Sequence, residues 1–209
     1  MVSLGQPSQQ SRLGISQIDR GYANLGESKL HTPFLQLNQQ GRLIDGHRIP
    51  LNEKPIVKTL HWPDESACAA CAQGLALCPA LAQAVVYLHG DLGTGKTAFT
   101  RYLLQALGVT DRIKSPTDAV VEPYEVTTGD KVLAIWHFDF YRFNHPQEWE
   151  DAGFRDIFAS PGLKMCEWPE KALGLLPTSD LDIFLSVNTD ASRDVRLASN
   201  SPLGSDLLA

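Results

Sequence analysis

Apolar and polar positions repeat with two different periods along this chain, and each change of period marks an element. Ile56-Val57-Lys58-Thr59-Leu60-His61-Trp62 reads as a strand, stopped by Pro63. Asp64 or Ser66 can then cap an alanine-rich helix with Cys68, Cys71, Leu75 and Cys78 along one stripe, and Pro79 ends it. Ala84-Val85-Val86-Tyr87-Leu88-His89 is a short apolar run of β-formers and predicts a strand. From Ala98 to Leu107 the period is helical, with Phe99, Leu103, Ala106 and Leu107 on one face and Gly108 as the stop. Val120 to Val126 and Lys131 to Phe138 are strand-like, and Thr127-Thr128-Gly129-Asp130 joins them as a hairpin turn. Asn144, Pro146 and Glu148 signal the start of a short helix. Leu163 to Trp168, Leu181 to Val187 and Asp194 to Ala198 complete the predicted strands. Strands alternating with helices around one internal hairpin predict an α/β fold with a mixed sheet.

The pattern also divides the chain. Residues 1–55 are rich in Gln, Ser, Gly and Asn, and their only apolar spots are Leu35-Gln36-Leu37 and Arg42-Leu43-Ile44, so a poorly ordered extension is expected there. An organellar transit peptide is the lesser alternative. Residues 56–198 form the expected compact domain, and residues 199–209 read as a loose C-terminal tail.

Composition narrows the functional classes. The chain has 209 residues, 43% of them hydrophobic, which suffices for one good core. A net charge of −6 without a long basic run argues against a direct grip on nucleic acid. No apolar stretch approaches a membrane span, and Met1 to Gln6 do not begin a secretory signal, so a soluble, cytoplasmic protein is expected. The four cysteines include a C-x-x-C at Cys68 and Cys71, but no second close Cys/His pair accompanies it. Small buried cysteines on a helix explain the spacing better than a metal or disulfide does.

The strongest chemistry lies at Gly90-Asp91-Leu92-Gly93-Thr94-Gly95-Lys96-Thr97, followed by Ala98. This is G-x-x-x-x-G-K-[ST], a loop whose glycines let backbone N–H groups approach phosphates closely. Lys96 would reach the β- and γ-phosphates, and the Thr97 hydroxyl would take one place on Mg²⁺. The strand before the loop and the helix after it are the flanks that the motif requires, and the helix N-terminus adds its positive dipole end. The predicted fold is therefore a P-loop NTPase three-layer sandwich with a mixed, mainly parallel sheet.

Hydrolysis also needs carboxylates beyond strand ends. Asp139, in His137-Phe138-Asp139-Phe140-Tyr141-Arg142, and Glu167, in Cys166-Glu167-Trp168-Pro169-Glu170, are the two candidates, and Glu170 ranks below them. Ser115-Pro116-Thr117 reads either as a switch segment that meets the γ-phosphate or as an ordinary turn. Arg142 suits phosphate contact, whereas His137 reads as structural.

These four motifs, G-D-L-G-T-G-K-T, S-P-T, H-F-D-F-Y-R and E-W-P-E, occur here in the order that characterises one family. Over residues 57–198 the chain closely resembles TsaE (formerly YjeE), the bacterial P-loop ATPase family of tRNA threonylcarbamoyladenosine synthesis. The resemblance implies a weak ATPase using ATP and Mg²⁺. It also implies a TsaB–TsaD-like transferase complex as partner, with tRNA met only indirectly. Carried over to this chain, Lys96 and the loop hold phosphates, while Thr97 and Glu167 lie on the Mg²⁺ side. Asp139 is the Walker-B-like acid, catalytic and able to serve the metal. Thr117 lies in the switch, Trp168 accompanies Glu167 near the nucleotide, and Glu65 of Pro63-Asp64-Glu65 approaches it. Two departures stand out: Asp118 replaces an aromatic residue after S-P-T, and Thr94 occupies a position where Ala is commoner. A small-molecule P-loop kinase and a nucleotide-gated protein-binding module are the alternative functions. A GTPase fits less well, because no N-K-x-D segment follows the loop.

Overall fold

The computed structural model describes residues 55–209 except Thr117, Asp118 and Asn144, together with two short strands, β1 (Gln36–Leu37) and β2 (Leu43–Ile44). These two strands pair antiparallel, with Leu37 opposite Leu43, and coincide with the two apolar spots of the N-terminal region. They belong to one unit, Met1–Gly46, and every other described element belongs to a second, His47–Ala209.

The second unit runs β3 (Val57–Trp62), α1 (Glu65–Ala76), a 3-10 turn (Pro79–Gln83), β4 (Val85–His89) and α2 (Lys96–Ala106). It continues with β5 (Val121–Thr128), β6 (Lys131–Asp139), α3 (Pro146–Asp151), α4 (Phe154–Ala159) and β7 (Leu163–Glu167). A second 3-10 turn (Pro169–Ala172), β8 (Leu181–Val187), β9 (Arg193–Ser199) and α5 (Pro202–Leu207) complete it.

The seven strands lie in the order β3-β9-β8-β4-β7-β6-β5. β8, β4, β7 and β6 are mutually parallel, and the antiparallel pairings are confined to the flanks. β4, which carries the glycine loop, is therefore central, with β7 and then β6 on one side. The carboxyl ends of these parallel strands share one edge of the sheet, and this topology gathers the site.

Side-chain alternation separates two cores, one on each face. Val86 and Leu88 of β4 join Phe99, Leu103 and Leu104 of α2 and Cys68, Ala72 and Leu75 of α1. Tyr87 faces the other way, into a cluster with Phe138, Phe140, Phe143, Trp149 and Phe154 that holds α3 and α4. Helices on both faces of a mixed sheet make the three-layer architecture expected from the sequence. On α2 the buried stripe differs from expectation: Leu104 is buried and Ala106 exposed, because the helix packs through Phe99, Thr100, Leu103 and Leu104. Gly108, at φ 103, ends α2 as expected. Its N–H reaches Gln105 O at 3.0 Å and that of Val109 reaches Leu104 O at 2.9 Å, a Schellman closure.

Two local expectations need correction. Residues 199–209 are not a loose tail. Ser201 caps α5 by accepting from the Gly204 N–H at 3.0 Å, and Leu207 and Leu208 are buried in the first core. The cue was Ser201-Pro202 ahead of Leu203, Leu207 and Leu208, a cap and an apolar helical face. For α3 the N-cap position is His145, whose N–H donates to Glu148 at 3.2 Å, while Asn144 lies outside the described residues. Asp64 is the cap of α1, accepting from Ser66 N at 2.9 Å and Ala67 N at 3.2 Å. The cysteines are free, and among the described residues no group of three or more His, Cys, Asp or Glu is placed to hold a metal. Among the described residues no helix is long and apolar enough to cross a membrane.

Candidate active site

The loop begins where β4 ends. Gly90 (φ 139) is pressed against β8: a Cβ there would lie 2.4 Å from Leu185 O. Gly95 (φ 108) is needed for its backbone alone, because a Cβ there meets nothing within 4 Å. Gly95 is also the N-cap of α2 and makes no side-chain capping bond, so the first N–H groups of the helix face the loop without one. Thr94 is buried, and its hydroxyl donates to Asp91 O at 3.0 Å, which braces the loop from within. Leu92, by contrast, is 76% exposed at the tip.

Lys96 is buried, and its ammonium donates to Gly90 O at 2.6 Å and Asp91 O at 2.9 Å. It also lies 3.8 Å from the centre of the Trp168 ring. Burial lowers the Lys96 pKa from its ordinary value, against the opposing pull of Glu167, Glu170, Asp139 and Asp91. Beside it the Thr97 hydroxyl donates to Glu167 Oε2 at 2.9 Å.

Asp139 and Glu167 are the last residues of β6 and β7 and are register partners. Both are buried. Asp139 Oδ1 accepts from Tyr141 N at 3.0 Å, and Oδ2 accepts from the Ser115 hydroxyl. The Asp139 N–H donates to Val120 O at 2.9 Å, and Val120 N–H donates to Pro116 O at 2.7 Å. Val120 holds φ 64, a left-handed conformation that is rare for a β-branched residue. The segment after Ser115 is thus tied to the end of β6 through Asp139. Thr117 and Asp118, the switch residue and its unusual neighbour, lie outside the described residues.

Of the other expected residues, Trp168 lies between Lys96 and Tyr141, whose ring centre is 5.0 Å away. Its backbone is left-handed at φ 57, which turns the chain sharply after Glu167. Glu65 opens α1, and hydrogen bonding to it raises the Tyr102 phenol above its ordinary value. Arg142 is exposed in the turn after β6. Sequence reasoning gave His137 no place in the site, yet its Nε2 lies 2.8 Å from Glu167 Oε1 with both side chains buried. The available signal was its spacing: two residues before Asp139 on a strand, it shares that residue's face. His89, the last residue of β4 before the loop, stacks on Phe184 at 4.4 Å and pairs with Asp182 at 3.2 Å.

Chemically, the site offers two hard oxygen donors, the Thr97 hydroxyl and the Glu167 carboxylate, next to a buried ammonium and a helix N-terminus. That donor set suits a divalent cation bound together with phosphate.

Residues 62–195 match the family described as "Threonylcarbamoyl adenosine biosynthesis protein TsaE". The tRNA threonylcarbamoyladenosine biosynthesis protein TsaE of Haemophilus influenzae is 39% identical over 125 residues, covering 60% of this chain and 76% of that protein. Its Bacillus subtilis counterpart is 35% identical over 111 residues, covering 53% of this chain and 66% of that protein. The crystal structure of Bacillus subtilis YdiB superposes with a TM-score of 0.55 at 27% identity, over 73% of this chain and 93% of that one. Sequence order, sheet topology and site geometry meet in one assignment: the chain belongs to the TsaE family of threonylcarbamoyladenosine biosynthesis proteins.

Proposed function

We propose that this chain is a Mg²⁺-dependent ATPase acting in tRNA threonylcarbamoyladenosine biosynthesis. Its hydrolysis would support turnover of a TsaB–TsaD-like transferase complex in the cytoplasm, with tRNA met only through that complex. The observation that carries this reading is the Thr97–Glu167 contact at 2.9 Å beside the buried Lys96 ammonium. Mg²⁺, when bound, would offset phosphate charge during in-line attack by water. Thr97 and Glu167 would hold it, with Asp139 close by on the next strand.

The chain's own groups account for the rest. The uncapped start of α2 and the glycine loop bind phosphate oxygens through N–H groups. Lys96 adds a positive charge held in place by the Trp168 ring. Asp139, fixed by Tyr141 and Ser115, is positioned to orient the attacking water. An ATPase and nucleotide-binding assay tests this. Lys96→Ala should lose nucleotide binding. Asp139→Asn should retain it and lose about a hundredfold or more in turnover. Normal hydrolysis by both variants would refute the assignment. For the partner, ATP–Mg²⁺-dependent capture of a TsaB–TsaD pair by the wild-type chain is expected, and capture indifferent to nucleotide would count against it.

A further inference from the structure

His137 is a fully buried imidazole whose polar contact goes to one atom. Its Nε2 lies 2.8 Å from Glu167 Oε1, and among the described residues its Nδ1 has no hydrogen-bond partner. A carboxylate only accepts, so the tautomer that makes this contact has its proton on Nε2, which donates. An apolar ring would fill the same volume without leaving a nitrogen unpaired, so packing alone does not explain an imidazole here. The second Glu167 oxygen accepts from Thr97 at 2.9 Å. The two donors differ in kind. Thr97 sits on the loop helix and would exchange Glu167 for a cation. His137 sits within β6, paired with β7 through the register His137 opposite Met165.

We propose that His137 is a positioning residue: it pins Glu167 through Oε1, so that Oε2 stays turned toward Thr97 and the divalent cation of the nucleotide. This rests on the Mg²⁺–ATP reading above. Partners that orient a metal ligand without touching the metal commonly change metal affinity tenfold or more when removed.

The test is titration of a fluorescent ATP analogue into the full-length protein, once with Mg²⁺ and once with EDTA. His137→Phe should bind within about twofold of wild type in EDTA. It should lose most of the Mg²⁺-dependent gain, about tenfold in affinity. His137→Gln, whose amide N–H can replace the Nε2 donor, should recover most of that gain. In a Glu167→Gln background His137→Phe should change nothing further. His137→Met replaces His137→Phe if circular dichroism shows that the Phe variant does not fold. Full retention of the Mg²⁺ gain by the Phe or Met variant would overturn the proposal. So would equal losses in the Gln and apolar variants, or additive losses with Glu167→Gln. Failure of the wild-type chain to bind the analogue at all would overturn the ATPase reading itself, and this proposal with it.

Discussion

Replacing Gly90 by alanine should remove a large part of the domain's stability, for a reason distinct from phosphate binding. Two costs combine at this position. At φ 139 an L-residue is strained by about 1–3 kcal/mol. A Cβ would also sit 2.4 Å from Leu185 O and 2.9 Å from Thr94 Oγ1. Ordinary carbon–oxygen approach is about 3.3 Å, so β8 or the loop must shift by roughly 0.9 Å. Overpacking of that kind costs about 1–3 kcal/mol. The total, about 4 kcal/mol, is a large fraction of the ~5–15 kcal/mol available to a domain. Gly95→Ala is the internal control: it meets nothing within 4 Å and incurs the conformational strain alone, about 2 kcal/mol. Urea unfolding followed by tryptophan fluorescence, without nucleotide, gives both values. Gly90→Ala should be the less stable of the two by about 2 kcal/mol. Equal destabilisation would show that the contact with β8 does not matter and would refute this account of the loop's first residue.

Other outcomes follow from the same geometry. Leu208→Ala should cost about 2–4 kcal/mol in thermal unfolding, because Leu208 is 3% exposed; a cost under about 0.5 kcal/mol would mean that α5 does not dock. Burial would raise the Asp182 pKa, but hydrogen bonds from His89, Ser179 and Asn200 prevail and hold it below its ordinary value. Its stabilisation is therefore complete above about pH 4 and disappears as pH falls through the lowered folded value. Asp182→Asn should accordingly be destabilised at neutral pH by about 1–3 kcal/mol and match wild type in strong acid, as read by denaturation across pH. Burial pushes the Cys68 thiol up to about 12 and that of Cys71 to about 11. Alkylation of both at pH 8 should be far slower in the native protein than in urea, and equal rates would contradict the burial of Cys68 and the partial burial of Cys71.

Much of this architecture was legible because the patterns were local. Phosphate loop, flanking strand and helix occupy one continuous stretch, and Gly108 announced the end of α2 by backbone chemistry alone. Asp139 and Glu167 could be picked out because each terminates an apolar run. Their adjacency could not, since it depends on β7 inserting between β4 and β6, a pairing over long sequence separation. His137 was missed for the same reason. Its significance comes from a carboxylate on another strand, and on sequence it is one polar residue in an aromatic run. Ala106 and Leu104 exchanged roles because a helical stripe fixes spacing more firmly than which edge of the stripe meets the sheet.

The bond from Asp139 N–H to Val120 O, with the Ser115 hydroxyl on the same carboxylate, bears on how variants of this protein are to be read. One residue closes β6 opposite Glu167 and anchors the segment that follows the loop helix. Truncating it to alanine removes the carboxylate and the Ser115 contact together, and a lost activity then has two causes. Asp139→Asn keeps an oxygen and the backbone bond while removing the charge. Ser115→Ala removes the tether and leaves the charge. The pair separates the contribution of the Ser115 contact from that of the Asp139 charge.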